Sequence, residues 1–201
     1  MFCPNEVHTE AVIGAEFDIV LAAAQGGDED AFARLWRDIN PPLLRYLGLG
    51  GDAAEEVAAE TWLTVIRGLT TFRGDEAAWR AWVFTTARRR AVDAARKRTR
   101  EARVGWCATT WVTPLGPDCA DEVVDAMTAA EAVALVRRLP PLQAEVVLLR
   151  VVGELSAEEV GRLVGRSPGA VRVASHRGLR ALSQMVGPAG VTPATFPTLR
   201  G

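Results

Sequence analysis

Residues 150–185 constrain the fold of this chain more than any other stretch, because they hold two helix start signals separated by a short turn. Ser156 and Glu159 match a capping box, in which a hydroxyl and a carboxylate satisfy amide donors left free in an opening turn. Gly165 stands where a helix end favours a residue that tolerates a positive φ. Ser167 and Pro168 then supply an N-cap and a proline at the first helical position. The stretch therefore predicts a helix-turn-helix.

The second of these helices has an apolar side and a cationic side. The apolar side, which can pack on the first helix, carries Val171, Ala174, Gly178 or Leu179, and Leu182. The cationic side carries Arg172, His176, Arg177 and Arg180. Because the major groove of DNA admits a helix, these donors predict a helix that reads DNA. The alternative is a solvated basic face on an ordinary amphipathic helix.

Charge alternates along the chain, although its formal net charge is only -2. Residues 1–60 carry a net charge of -9 and residues 61–104 carry +7, whereas residues 105–160 carry -6 and residues 161–201 carry +6. An acidic block followed by a basic block, twice over, predicts two modules. Each module would meet a basic partner with one face and a polyanion with the other.

Length and composition favour a globular protein with one or two small cores, since 49% of the 201 residues are hydrophobic. The sequence contains no apolar run of eighteen residues and its N-terminus is acidic, so we expect a cytoplasmic protein without membrane insertion. Cys3, Cys107 and Cys119 are irregularly spaced, which supports neither a disulfide framework nor a zinc site. With only two histidines, we expect no cofactor and no enzymatic activity.

The periodicity predicts helices throughout and no strand, so we expect an all-α protein. Asp28 caps a helix whose buried stripe contains Phe32, Leu35, Trp36 and Ile39, and Pro41 and Pro42 are expected to end it. A helix over residues 53–69 turns Val57, Thr61, Val65 and Leu69 inward. Another helix starts near Trp79 and ends in a run of arginines.

Residues 104–125 lose this periodicity and gain glycine and proline, which is typical of a flexible linker between two helical domains. We therefore expect an N-terminal extension over residues 1–27 and a first domain over residues 28–103. A helix-turn-helix domain over residues 126–186 follows the linker. Residues 187–201 contain three prolines and are expected to form a mobile tail.

Motifs over roughly residues 30–186 resemble the extracytoplasmic-function (ECF) sigma factors of bacterial RNA polymerase. In the first domain they are DAFARLWRDINPPLLRY at 30–46, AEEVAAETW at 54–62, FRG at 72–74 and WRAWVFTTARRRAVD at 79–93. In the second they are RLPPLQAEVVLLR at 138–150, GELSAEEV at 153–160 and SPGAVRVASHRGL at 167–179. The chain departs from the family at Ala59, Thr85, Thr86, Ala174 and Ser175.

The resemblance implies an initiation factor that binds core RNA polymerase and promoter DNA and is held inactive by an anti-sigma factor. The polymerase-binding residues that it implies are Glu55, Glu56, Val57, Glu60 and Trp62. The residues implied to bind and melt the minus-ten element are Phe72, Arg73, Trp79, Trp82, Arg88, Arg89, Arg96, Lys97 and Arg98. The residues implied to read the minus-thirty-five element are Ser167, Arg172, Val173, His176, Arg177 and Arg180.

Several readings stay open at this point. Glu55, Glu56 and Glu60 could form an ordinary solvated helix surface. The linker could thread the nucleic-acid channel of the polymerase or act only as a tether. Trp79 and Trp82 could stack unpaired bases, which compensates the free energy of unstacking, or they could be core residues. We expect at least one to be core, Trp82 rather than Trp79. Two rival classes remain. One is a helix-turn-helix regulator that works without polymerase, and the other is an enzyme.

Overall fold

The structure, a computed structural model, describes residues 13–51, 53–104 and 129–186. The helices of this part are α1 (Phe17–Gln25), α2 (Glu29–Leu47), α3 (Ala54–Gly68), α4 (Glu76–Val104), α5 (Ala129–Val136), α6 (Pro141–Val151), α7 (Ala157–Val164) and α8 (Pro168–Val186). These residues contain no strand, which confirms the all-α prediction for them. The expected linker beyond Val104, the expected tail and all three cysteines lie outside the described residues.

The first domain is a bundle of α1 to α4. Asp28 caps α2 by accepting a hydrogen bond from the Ala31 amide at 2.9 Å, and Leu35, Ile39 and Leu43 of α2 are fully buried. The predicted inward residues of α3, namely Val57, Thr61, Val65 and the adjoining Leu69, are also buried. We expected residues 1–27 to form an extension, yet α1 packs on α2. Its buried residues are Phe17, Val20, Leu21 and Ala24.

The prolines at 41 and 42 do not end α2, contrary to the sequence prediction. The helix continues to Leu47 with both prolines inside it. A proline inside a helix costs about 3 kcal/mol, because it removes a hydrogen bond and crowds the preceding turn. The turn that follows buries Leu43, Tyr46 and Leu47, and burial of each such side chain contributes roughly 1.5–3 kcal/mol. Packing beyond the prolines therefore outweighs the local preference.

Trp36 is a second departure on α2, because its side chain is 39% exposed rather than buried. The buried arc of this helix is centred on Leu35 and Ile39. One further residue turns the helix by about 100°, which carries position 36 to the edge of that arc.

The second domain contains α5 to α8, and its helix-turn-helix is confirmed in detail. The Ser156 hydroxyl accepts from the Glu159 amide at 3.2 Å, and the Glu159 carboxylate accepts from the Ser156 amide at 2.6 Å. Gly165 ends α7 with a φ of 70°, and the Ser167 hydroxyl accepts from the Ala170 amide at 3.3 Å. α8 packs on α6 and α7 through Val171, Ala174 and Gly178.

The two domains lie against each other, with α2 in contact with α5 and α6, and α4 in contact with α7. Phe84 of α4 is fully buried and packs edge-on against Tyr46, with ring centroids 5.6 Å apart. A Cβ atom on Gly153, which follows α6, would lie 3.2 Å from the Phe84 ring. Polar contacts between the domains surround this apolar centre.

The turn of the helix-turn-helix depends on a close approach at Gly161. A Cβ atom at this position would lie 2.6 Å from the Arg166 carbonyl oxygen, which belongs to the backbone. We predict that Gly161→Ala lowers the free energy of unfolding by about 1–3 kcal/mol, since the turn must shift. Urea denaturation followed by circular dichroism measures this loss.

Gly169→Ala is the matched control, because no atom lies within 4 Å of a Cβ built on Gly169 of α8. This change should leave stability unchanged or raise it by up to about 1 kcal/mol, through the helix propensity of alanine. Equal stabilities for the two variants would contradict the packed turn.

Candidate functional site

The cationic side of α8 is open to solvent. Its exposed residues are Arg172, Val173, His176, Arg177 and Arg180, and Ser167 at the N-cap is exposed as well. Val171, Ala174 and Gly178 on the opposite side hold the helix in the domain. The whole set assigned to the minus-thirty-five element therefore lies on accessible surface, where a helix can enter a major groove.

The carboxylate of Glu158, on α7, contacts this cationic side, and no sequence motif indicated that contact. The Arg172 guanidinium donates to Glu158 at 2.7 Å, and both side chains are more than half exposed. Such an exposed pair adds at most about 1 kcal/mol to stability. Fourteen residues and a turn separate its members, so spacing rules within one helix could not reveal it.

α3 presents three carboxylates on its exposed surface, those of Glu55, Glu56 and Glu60. Leu63 and Ile66 of the same helix are 53% and 49% exposed, which is unusual for large apolar side chains. Neither residue was predicted as a site residue, although both lie outside the inward stripe of α3, which could have indicated their exposure. We call the surface formed by these five residues the α3 face.

Val57 and Trp62 do not belong to that surface, in contrast to the set implied by the resemblance. Their side chains are only 5% and 6% exposed, so they hold α3 in the bundle. The Trp62 indole donates to the Asn40 side chain at 2.9 Å and packs edge-on against Phe32. In this packing they position the α3 face.

An aromatic cluster lies where the loop before α4 meets the helix. The Phe72 ring stacks on Trp82 at 5.1 Å between centroids and meets Trp79 edge-on at 5.4 Å. Trp79 is 1% exposed, whereas Trp82 keeps part of its surface free. The prediction that Trp82 rather than Trp79 is the core residue is therefore wrong. Trp79 shares a helical stripe with the fully buried Val83 and Ala87, while Trp82 lies beside that stripe.

Hydrogen bonds fix the loop that carries Phe72. The Gln25 amide of α1 donates to the carbonyl oxygens of Leu69 at 2.8 Å and Phe72 at 2.9 Å. The exposed Arg73 guanidinium donates to carbonyl oxygens of its own loop, and the Asp75 carboxylate caps α4 through the Ala78 amide. Gln25 is a long-range partner that no motif identified.

The cations of α4 differ in their surroundings. Arg89, Arg96, Lys97 and Arg98 are exposed along the helix. Arg88 is only partly exposed and donates to the Glu145 carboxylate of α6 at 2.7 Å. The hydrogen bond with Glu145 raises the pKa of the Arg88 guanidinium above its ordinary value. Arg88 is therefore the member of the predicted minus-ten set that the second domain covers.

Comparison with known proteins identifies both domains. Residues 43–101 match the family model "Sigma-70 region 2", and residues 129–182 match "Sigma-70, region 4". The ECF RNA polymerase sigma factor SigD of Mycobacterium tuberculosis is 33% identical over 186 residues, which cover 88% of this chain and 87% of SigD. BldN of Streptomyces coelicolor, also an ECF sigma factor, is 32% identical over 81% of this chain and 63% of its own length.

Solved structures share the fold. The sigma factor RpoE from Bartonella quintana, in complex with the anti-sigma factor NepR, superimposes with a TM-score of 0.60 at 18% identity, over 77% of this chain and 96% of that one. CnrH, in complex with the cytosolic domain of CnrY, gives a TM-score of 0.53 at 21% identity, over 85% and 96%.

The chain belongs to the ECF sigma factors of RNA polymerase, with a region 2 domain and a region 4 domain. Among the helices of the described ranges, none has the length and apolar character needed to cross a membrane.

Because Trp79 is buried, we expect its replacement to lower stability rather than to remove a direct DNA contact. We predict that Trp79→Ala lowers the free energy of unfolding by about 3–5 kcal/mol, the usual loss for a large aromatic residue removed from a core. Trp36→Ala, at an exposed tryptophan, should cost well under half as much. Chemical denaturation of both variants measures the difference, and equal losses would contradict the placement of Trp79 in the core.

Proposed function

We propose that this chain binds core RNA polymerase through the α3 face and directs promoter-specific initiation through α4 and α8. The observation that carries the proposal is the presence of both sigma regions, in order, within one chain. A helix-turn-helix regulator would need only the second domain and would leave the α3 face and the aromatic cluster unexplained. In this proposal the chain selects and opens the start site, and the polymerase performs the chemistry.

The α3 face supports the polymerase contact. Two large apolar side chains, Leu63 and Ile66, lie exposed on the same helix as three carboxylates. Interfaces commonly combine an apolar centre with a charged rim, and a rim of carboxylates favours a basic partner. Val57 and Trp62, buried on the opposite side of α3, hold the helix in the first domain.

The minus-ten role falls to Trp82, Phe72 and the cations of α4. A partly exposed Trp82 stacked on Phe72 offers an aromatic surface for an unpaired base. Trp79 supports both rings from the core. Arg88, Arg89, Arg96, Lys97 and Arg98 would hold phosphates, which gives affinity that depends on salt and little sequence preference.

The minus-thirty-five role falls to the exposed side of α8. Arginine in a major groove donates two hydrogen bonds to guanine, and each good contact of this kind discriminates by about 1–3 kcal/mol. Arg172, His176 and Arg177 are exposed on α8, and the Arg172 guanidinium donates to Glu158 until DNA replaces that partner. Ser167 and Val173 would add phosphate and methyl contacts at its N-terminal half.

An anti-sigma factor is the second protein partner that we propose. RpoE, which shares this fold, was solved in complex with the anti-sigma factor NepR. We extend that kind of partner to this chain, acting in the cytoplasm, where polymerase and promoter DNA are found.

Charge reversal on the α3 face tests the polymerase contact. Replacing Glu56 and Glu60 by lysine turns attraction to a basic surface into repulsion, so we expect the Kd for core RNA polymerase to rise at least about tenfold, or 1.4 kcal/mol. Biolayer interferometry with immobilised core enzyme measures the change, which should shrink as salt is raised.

The matched control reverses Glu29 and Asp30, two exposed carboxylates in the first turn of α2. It changes the net charge by the same amount and should leave the Kd within about twofold of the parent, although loss of the helix-dipole interaction lowers stability by up to about 1 kcal/mol. An equal effect from both double variants would mean that only net charge matters, and no effect from either would remove the α3 face from the interface.

A further inference from the structure

One carboxylate of the second domain lies between two donors of the first. An oxygen of Glu145, on α6, accepts from the Arg88 Nε at 2.7 Å and from the Tyr46 hydroxyl at 3.1 Å. Tyr46 lies near the end of α2 and Arg88 lies on α4, so two helices of the first domain converge on a single anionic oxygen.

The fold holds the Tyr46 hydroxyl in place. Its ring packs against Phe84, and the residue is only 6% exposed. Burial, together with the negative charge of Glu145, raises the pKa of Tyr46 well above its ordinary value. The phenol therefore remains protonated, and its hydrogen is directed to the carboxylate.

The position of this pair of donors suggests the natural ligand. Arg88 is the first of the α4 cations assigned to DNA, and Arg96 follows eight residues later, about 12 Å along the helix. Guanidinium and hydroxyl groups bind phosphate oxygens with the same geometry as carboxylate oxygens. Glu145 thus occupies a place that a phosphate of the DNA backbone could take.

We propose that Tyr46 and Arg88 form a binding site for a backbone phosphate of the melted promoter strand, and that Glu145 fills this site while the two domains are packed together. The site rests on the proposed function, because its ligand is the strand that the first domain would hold. Tyr46 adds a DNA contact to the predicted set, and Glu145 becomes a competitor that DNA displaces.

The contacts that accompany Glu145 suit a reversible closure. Arg80 lies 3.6 Å from Glu154, and Arg137 donates to the Gly48 carbonyl across the same boundary. The side chains of Glu145 and Arg88 are 22% and 33% exposed, so water partly screens their attraction. Partly screened ion pairs are weak, and phosphates that engage several arginines of α4 can outcompete them.

Binding of single-stranded DNA to the full-length chain tests the site. Phosphate contacts are independent of sequence, so a fluorescent strand of about 20 mixed-sequence nucleotides is a suitable probe for fluorescence anisotropy. We expect Glu145→Gln to tighten binding severalfold and Tyr46→Phe to weaken it severalfold in both the parent and the Glu145→Gln background.

The salt dependence of binding distinguishes the contribution of the charged Arg88 from that of the neutral Tyr46. Arg88→Ala should reduce the slope of log affinity against log salt by about 0.7, the value for one phosphate contact on a single strand. Tyr46→Phe should weaken binding without changing the slope, because the phenol carries no charge. Glu29→Gln is the control, since it removes the same charge at an exposed position in the first turn of α2, and its affinity for this probe should equal that of the parent.

Nitration measures the accessibility of the Tyr46 ring directly, because Tyr46 is the only tyrosine in the chain. Tetranitromethane should modify Tyr46 slowly in the parent and faster in Glu145→Gln, and the DNA strand should restore protection in the variant. Mass spectrometry counts the single added nitro group.

The site is overturned if Tyr46→Phe binds the strand as tightly as the parent in both backgrounds, or if DNA leaves nitration of Glu145→Gln unchanged. Failure of this site alone would leave promoter binding by the polymerase complex intact. Failure of the proposed function would appear as no promoter binding by the parent chain with core polymerase.

Discussion

The buried guanidinium of Arg80 is the interaction on which the arrangement of the helices depends. Its side chain is 6% exposed and makes two hydrogen bonds to Asp38 of α2, at 2.8 and 3.0 Å. Glu76 of α4 and Glu154, between α6 and α7, lie 3.9 and 3.6 Å from it. A buried charge is tolerated only when it is paired and hydrogen-bonded. This cluster fixes α4 against α2 and so sets where Trp82 and Arg88 project. Burial, together with the negative charges of Glu76 and Glu154, raises the pKa of Asp38 to about 6, although the Arg80 guanidinium opposes the shift.

Ion pairs within the chain join residues of the alternating charge blocks seen in the sequence. Glu145, Glu154 and Glu158 come from the acidic block at 105–160, and they face Arg88, Arg80 and Arg172 of the two basic blocks. The acidic residues thus meet cations of the same chain, two of which are assigned to DNA. A carboxylate near such an arginine holds it in place and must yield when a phosphate or a base arrives. The whole-chain charge of -2 conceals this internal pairing.

Local rules predicted the helix-turn-helix well, because caps and turns depend on neighbouring residues. Ser156, Glu159 and Gly165 adopt the predicted roles, and the cationic side of α8 is exposed as expected. The errors arose where long-range packing decides. Helix α2 continues past Pro41 and Pro42 because the residues beyond them pack into the core. Trp79 rather than Trp82 is buried because it lies on the side of α4 that packs into the core. Long-range packing also buries Val57 and Trp62 in the first domain, and their contact with polymerase stays a prediction. Glu145 beside Tyr46 could not be foreseen, because 99 residues separate them.

The central claim is that this chain gives core RNA polymerase its choice of start site. The most direct measurement adds the purified chain to core polymerase with a library of DNA fragments that carry randomised upstream regions, and maps the 5′ ends of the transcripts. The account predicts transcripts that begin at defined positions downstream of two shared sequence elements, and only when the chain is present. Identical start sites with core enzyme alone, or no transcript while the chain still binds duplex DNA by itself, would contradict it.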